Sequence, residues 1–147
     1  MRAGCPFITC AVKRKGIEFC WECGESGDCE KWRKHREAGK SHDSFKCYQK
    51  LEDDISFILE NGVREFEKAQ KAREKLLVEM LNGYNEGRSK NYYCVAATVM
   101  EPDELKDAIA EAEKKSDGLD IKEKSKILHT ILDDIATKKN YCLKLRK

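Results

Sequence analysis

Five of the eight cysteines in this 147-residue chain fall between Cys5 and Cys29, in the spacing Cys5-x4-Cys10-x9-Cys20-x2-Cys23-x5-Cys29. The same stretch holds Gly16, Gly24 and Gly27, and no long apolar periodicity begins before Trp32. A segment of this kind has no core of its own to order it, so something must tie its thiols together. Cys20-Trp21-Glu22-Cys23 is the sharpest element. Two residues between thiolates let a tight turn aim both sulfurs at one ion, about 2.3 Å from a zinc. Gly24 and Gly27 supply backbone freedom for such a turn. Cys5 and Cys10 form a looser second pair, and Cys29 is an alternative fourth ligand. A four-thiolate zinc site is therefore expected from Cys5, Cys10, Cys20, Cys23 and Cys29, with an iron–sulfur cluster as the alternative cofactor.

Three other uses of thiols fit less well. Buried free cysteines rarely gather so densely in one segment. A redox Cys-x-x-Cys belongs in a strand–helix context that is missing around Cys20 and Cys23. Disulfides need an export route. The apolar start, Met1 to Val12, is interrupted by Pro6 and runs into Lys13-Arg14-Lys15 without a small-residue cleavage site. The sequence thus predicts a reduced, cytoplasmic protein. No segment reaches the roughly 20 apolar residues of a membrane span, so no membrane partner is expected.

The cysteine segment resembles a known family. Cys5-x4-Cys10-Ala11, then Lys15-Gly16-Ile17-Glu18-Phe19-Cys20-x2-Cys23, then Cys29-Glu30-Lys31, is similar to the cysteine-rich prokaryotic family called domain of unknown function 3795. The resemblance spans about residues 5–60. It implies a cysteine-ligated metal, zinc first, in a small knuckle beside helices, and no established activity. Two departures stand out. Family members carry a further cysteine block upstream, and a proline often precedes their last cysteine, where this chain has Asp28.

Beyond residue 44 the chain reads as helices. Phe45, Tyr48, Leu51, Ile55, Ile58 and Leu59 follow the three-and-four spacing of one buried face, stopped at Asn61-Gly62. A second helix carries Val63, Phe66, Ala69, Leu76, Leu77, Met80 and Leu81 and ends near Asn82-Gly83. The nearly continuous run Tyr92 to Met100 is read as a short buried helix. Pro102 suits the first turn of another, with Leu105, Ala108, Ile109 and Ala112 on one face. Asp120 and Glu123 have the spacing of a capping box. The helix they open places Ile121, Ile127, Leu128, Ile131, Leu132 and Ile135 inward. The tail Tyr141 to Leu145 alternates apolar and polar residues, as a short strand would. The expected fold is mainly α: a cysteine-rich zinc knuckle in residues 1–44 packed on a bundle of about five helices in residues 45–147.

Composition narrows the function without naming it. The chain is 38% charged with a net charge of +2, so a chain-wide grip on nucleic acid is not indicated. Lys13-Arg14-Lys15 and Lys31, Arg33, Lys34 and Arg36, with Trp21 and Trp32, suggest at most weak, non-specific nucleic-acid contact. His35 and His42 lie outside ligand spacing and read as surface residues, and His129 as a packed boundary residue. Gly83-x3-Gly87-Arg88-Ser89 is one residue short of a phosphate loop and has Arg where Lys belongs. Cys94 has no base beside it in sequence and reads as a small buried residue. No catalytic set emerges. A closed thiolate site suits a structural module whose partner is another protein.

Overall fold

The structure, a computed structural model, describes residues 5–44 and 46–146. Phe45, placed by its spacing on the first helical face, lies outside them, as do Met1 to Gly4 of the apolar start. The described residues are mainly helical and include no strand. The chain divides into two compact units, Met1–Ser41 and His42–Lys147.

The first unit is helical earlier than its sequence suggests. A short turn, α1 (Pro6–Ile8), runs directly into a wider π-helical stretch, Thr9–Lys15. Pro6 sits where its missing N–H costs nothing. The stretch ends at Gly16, whose φ of 65° only glycine adopts easily and whose N–H reaches back five residues to the Ala11 carbonyl. Gly24 and Gly27, by contrast, are not among the glycines with positive φ. The left-handed residue of this unit therefore precedes the Cys-x-x-Cys turn instead of following it. A 3-10 turn, Cys20–Glu22, carries that motif, and α2 (Glu30–Ser41) follows Cys29. The Glu22 carboxylate accepts the N–H groups of Glu18 and Phe19 at 3.1 and 2.9 Å, fixing the approach to Cys20.

The second unit contains α3 (Leu51–Asn61), α4 (Val63–Gly83), α5 (Lys90–Val99), α6 (Pro102–Lys115) and α7 (Ile121–Lys139). The break between α3 and α4 falls where the Asn61-Gly62 pair predicts it. Gly62 has φ 83° and ψ 163°, a conformation that a side chain would strain. Asp120 caps α7, accepting the N–H groups of Lys122 and Glu123 at 2.8 and 2.9 Å, while Glu123 reaches back to the Asp120 N–H.

One core joins α4, α5, α6 and α7. Met80, Tyr93, Val99, Met100, Leu105, Leu128 and Leu132 are fully buried within it. The run Tyr92 to Val99 is helical, and Met100 follows as its extended C-cap. Its C-terminal carbonyls are met by Arg73 of α4, whose guanidinium donates to Ala97 O at 3.3 Å and to Met100 O, and pairs with Glu101 at 3.1 Å. Helix α3 packs on α4 and lies outside this core cluster. Its expected inward face is therefore only partly covered: Ile55 is buried, but Leu59 is 64% exposed. Ile121, at the first position of α7, is likewise exposed, because the core begins a turn later.

The tail does not form the expected strand. Gln49 takes the place of a neighbouring strand, donating to Cys142 O at 2.8 Å and accepting the Cys142 N–H at 3.2 Å. Asp43, whose side chain is wholly buried, then fixes Arg146. It accepts both Nε and Nη2 of Arg146 at 3.2 Å, the Arg146 N–H at 3.1 Å and the Tyr48 N–H at 2.6 Å. Burial alone would raise the Asp43 carboxyl, but these donors outweigh it and hold the group below the usual carboxylate range. A carboxyl depressed in the folded state stabilises above its unfolded pKa of about 3.9, and that contribution disappears as pH falls through the folded value. Arg146→Ala leaves Asp43 short of donors, which should cost about 1–3 kcal/mol near neutral pH. Acid unfolding followed by circular dichroism should then begin at a higher pH than in the wild type. An unchanged acid limb would show that this anchor contributes nothing to stability.

Candidate metal centre

The first unit gathers its thiols around Cys20. Cys10, on the π-helical stretch, Cys20 and Cys23, on either end of the 3-10 turn, and Cys29, just before α2, line a single cavity of about 330 Å³. Cys5 is exposed at the start of α1 and does not line it. All eight cysteines are free thiols. Burial, followed by the neighbouring sulfurs of Cys29, Cys10, Cys23 and Cys5, pushes the Cys20 thiol up. So all four other clustered cysteines bear on Cys20, although the five are spread over 25 residues of chain.

Cys23 has the opposite environment. Lys15 Nζ donates to its Sγ at 3.0 Å, and this contact, with help from the Glu25 N–H, lowers the Cys23 thiol below its ordinary range. The same ammonium pairs with Glu25 at 2.6 Å and lowers that carboxyl too. Lys15 itself is raised, first by Cys23 and then by Glu25. One cation thus bridges the Cys23 sulfur and the Glu25 carboxylate, both at the C-terminal end of the Cys-x-x-Cys turn. In sequence Lys15 belongs to a basic run and opens the resembling Lys15-Gly16-Ile17 stretch, and its position ten residues before Glu25 carries no helical or turn signal.

Phe7 and Trp32 line the same cavity. Their rings meet edge-on at 6.0 Å, and Trp32 stacks on His35 at 5.7 Å. Trp21 is stacked on Phe19 at 4.6 Å. Both tryptophans therefore have aromatic partners, and His35 is half-buried rather than a free surface residue.

The donor set is chemically suited to a soft or borderline metal: four thiols line one space, and the Lys15 ammonium lowers the Cys23 thiol, which favours the ligating form. Among the described residues, however, no group of three or more His, Cys, Asp or Glu side chains stands closely enough together to hold an ion.

The second unit contains a polar cluster that its sequence did not disclose. Ser89, immediately before α5, and Ser125 of α7 are both buried. Their hydroxyls donate to one oxygen of Glu86 at 2.6 and 2.9 Å. His129 Nε2 lies 2.8 Å from Ser89 Oγ, and its ring stacks on Tyr92 at 3.9 Å. Because the single Ser89 proton goes to Glu86, His129 must donate toward Ser89. That is the reverse of a base activating a serine nucleophile. Tyr93 closes the cluster, 3.1 Å from Ser125 Oγ and donating to Tyr84 O at 3.1 Å. Burial lowers His129, which keeps the ring neutral near pH 7. The cluster joins the α4–α5 loop to α5 and α7, and the Gly87-Arg88-Ser89 segment serves that junction.

No helix among the described residues is long and apolar enough to cross a membrane. Comparison with family models, curated proteins and solved structures finds no match to this chain.

Proposed function

We propose that the first unit is a four-thiolate zinc module, with Cys10, Cys20, Cys23 and Cys29 as ligands and Cys5 outside the set. The observation that carries this is the common cavity of those four thiols, which the exposed Cys5 does not line. The resemblance to domain of unknown function 3795 rests on these four cysteines together with Cys5, and it supports a cysteine-ligated metal without choosing among the five. Zinc bound by four thiolates has no open position for substrate, so its role is structural. Lys15 offsets part of the negative charge that four thiolates bring and directs one N–H to the Cys23 sulfur, the outer contact that tunes such ligands. The module works in a reducing compartment, the cytoplasm, where the thiols stay available. Its partner is another protein. Ile8 and Val12, four residues apart, are each more than half exposed and offer an apolar contact.

Metal analysis of the full chain, purified without oxygen, tests the proposal. About one zinc per chain is expected for a single closed site. Folded wild-type protein without metal would refute it. Iron with inorganic sulfide and visible absorption would replace zinc by the iron–sulfur cluster that an all-thiolate set also suits.

Apart from Lys15 and Lys31, which line the thiol cavity, the basic residues of this unit are a solvated face. Lys34 pairs with Glu30 at 2.7 Å and Lys40 with Glu37 at 2.9 Å, and both tryptophan rings are engaged. Gel-shift titration near physiological salt should give only non-specific binding, with Kd of about 10⁻⁴–10⁻⁶ M. Tight binding of one defined RNA or DNA would identify a nucleic-acid module instead.

A further inference from the structure

The second unit has a cleft whose lining is unusual for a chain with nearly balanced charge. Residues 51–147 carry 18 basic and 20 acidic residues. Yet a cleft of about 860 Å³ beside α5 and the C-terminal tail is lined by Lys46, Arg88 and Lys144 and, among the described residues, by no carboxylate. The side chains of these three cations make no ion pair or hydrogen bond with any described residue. Between them lies an apolar wall of Val95, Leu143 and Leu145. Leu145 is 41% exposed, a large apolar side chain left open at the rim. Cys47 and Cys94 also face the cleft, and burial pushes the Cys47 thiol up, so it adds no negative charge. The three cations come from distant parts of the chain and meet because Gln49 and Asp43 fix the tail.

We propose that this cleft binds a small amphiphilic anion: one carboxylate or phosphate group carried on an apolar body. Charge complementarity selects the head group, because a cleft lined by three cations and no described carboxylate presents a positive field to an anion. The apolar wall selects the body. The volume lies in the range of roughly 300–1,000 Å³ typical of small-molecule sites, which favours a free ligand over a membrane or an extended polyanion. The site is independent of the thiol cavity.

Decanoate, below its micelle concentration, is the probe. Calorimetric titration of the full chain should show saturable binding, and bound decanoate should slow alkylation of Cys94 by neutral iodoacetamide. Decanol, with the same tail and no charge, should protect Cys94 far less. Arg88→Glu and Lys144→Glu should each weaken decanoate binding about tenfold or more, roughly 1.4 kcal/mol, without altering the melting curve. Two independent variants are used so that one folding defect cannot decide the outcome. Vesicles of anionic phospholipid should not sediment the protein. The proposal is overturned if decanoate leaves Cys94 alkylation unchanged, if decanol protects equally, if both charge reversals bind normally, or if vesicles bind the chain while free decanoate does not.

Discussion

Cys20→Ser should abolish metal retention and unfold the first unit while leaving the second intact. Cys20 lines the common cavity with Cys10, Cys23 and Cys29, so its loss removes one of the four proposed ligands. Residues 5–29 bury only one apolar side chain, Ala11, and hold no core to fall back on. Structural zinc in small thiolate sites contributes on the order of 10–16 kcal/mol, as much as the whole stability of many domains. Metal content should fall nearly to zero, and amide signals of residues 5–29 should collapse toward random-coil positions. Most ellipticity should survive, since α3 to α7 do not depend on the ion. Cys29→Ser should behave like Cys20→Ser, whereas Cys5→Ser and Cys94→Ser should keep the metal. If Cys5→Ser lost the ion and Cys29→Ser kept it, the ligand set would revert to the Cys5–Cys10 pairing expected from spacing.

Leu132→Ala should destabilise the second unit by about 2–5 kcal/mol, the range for a large-to-small change that leaves a cavity. Leu132 has no exposed surface and packs with Leu105 and Leu128 where α6 meets α7. Leu59→Ala is the matched control. Its side chain is largely exposed on α3, so the change should stay within roughly 0.5 kcal/mol. Urea denaturation read by circular dichroism separates the two. Equal losses would mean that α3 belongs to the central core.

These two leucines show how far the helical pattern was legible. Both sit at inward positions by their spacing, and spacing describes a face, not what covers it. For α6 the four expected residues, Leu105, Ala108, Ile109 and Ala112, are all buried, because that helix is packed by both α4 and α7. For α3 the same pattern gives only Ile55 as fully buried, because its main packing partner is α4 alone. The alternating tail misled for a related reason. Leu143 is buried as alternation predicts, but a strand needs a partner, and here a glutamine side chain provides the donor and acceptor.

What the sequence by itself determined is local chemistry. Pro102, Asp120 with Glu123, and Asn61-Gly62 set helix boundaries through capping and backbone freedom that act within one turn. The thiol cluster, too, is dense enough in sequence to be recognised without coordinates. Only the tertiary structure decided which charges and polar groups meet. Lys15 meets Cys23 across a turn, Glu86 and His129 enclose Ser89 from two elements, and Lys46, Arg88 and Lys144 converge from three distant segments. Such pairs follow no period, since their separation is set by helix packing and by a buried Asp43–Arg146 contact 103 residues apart.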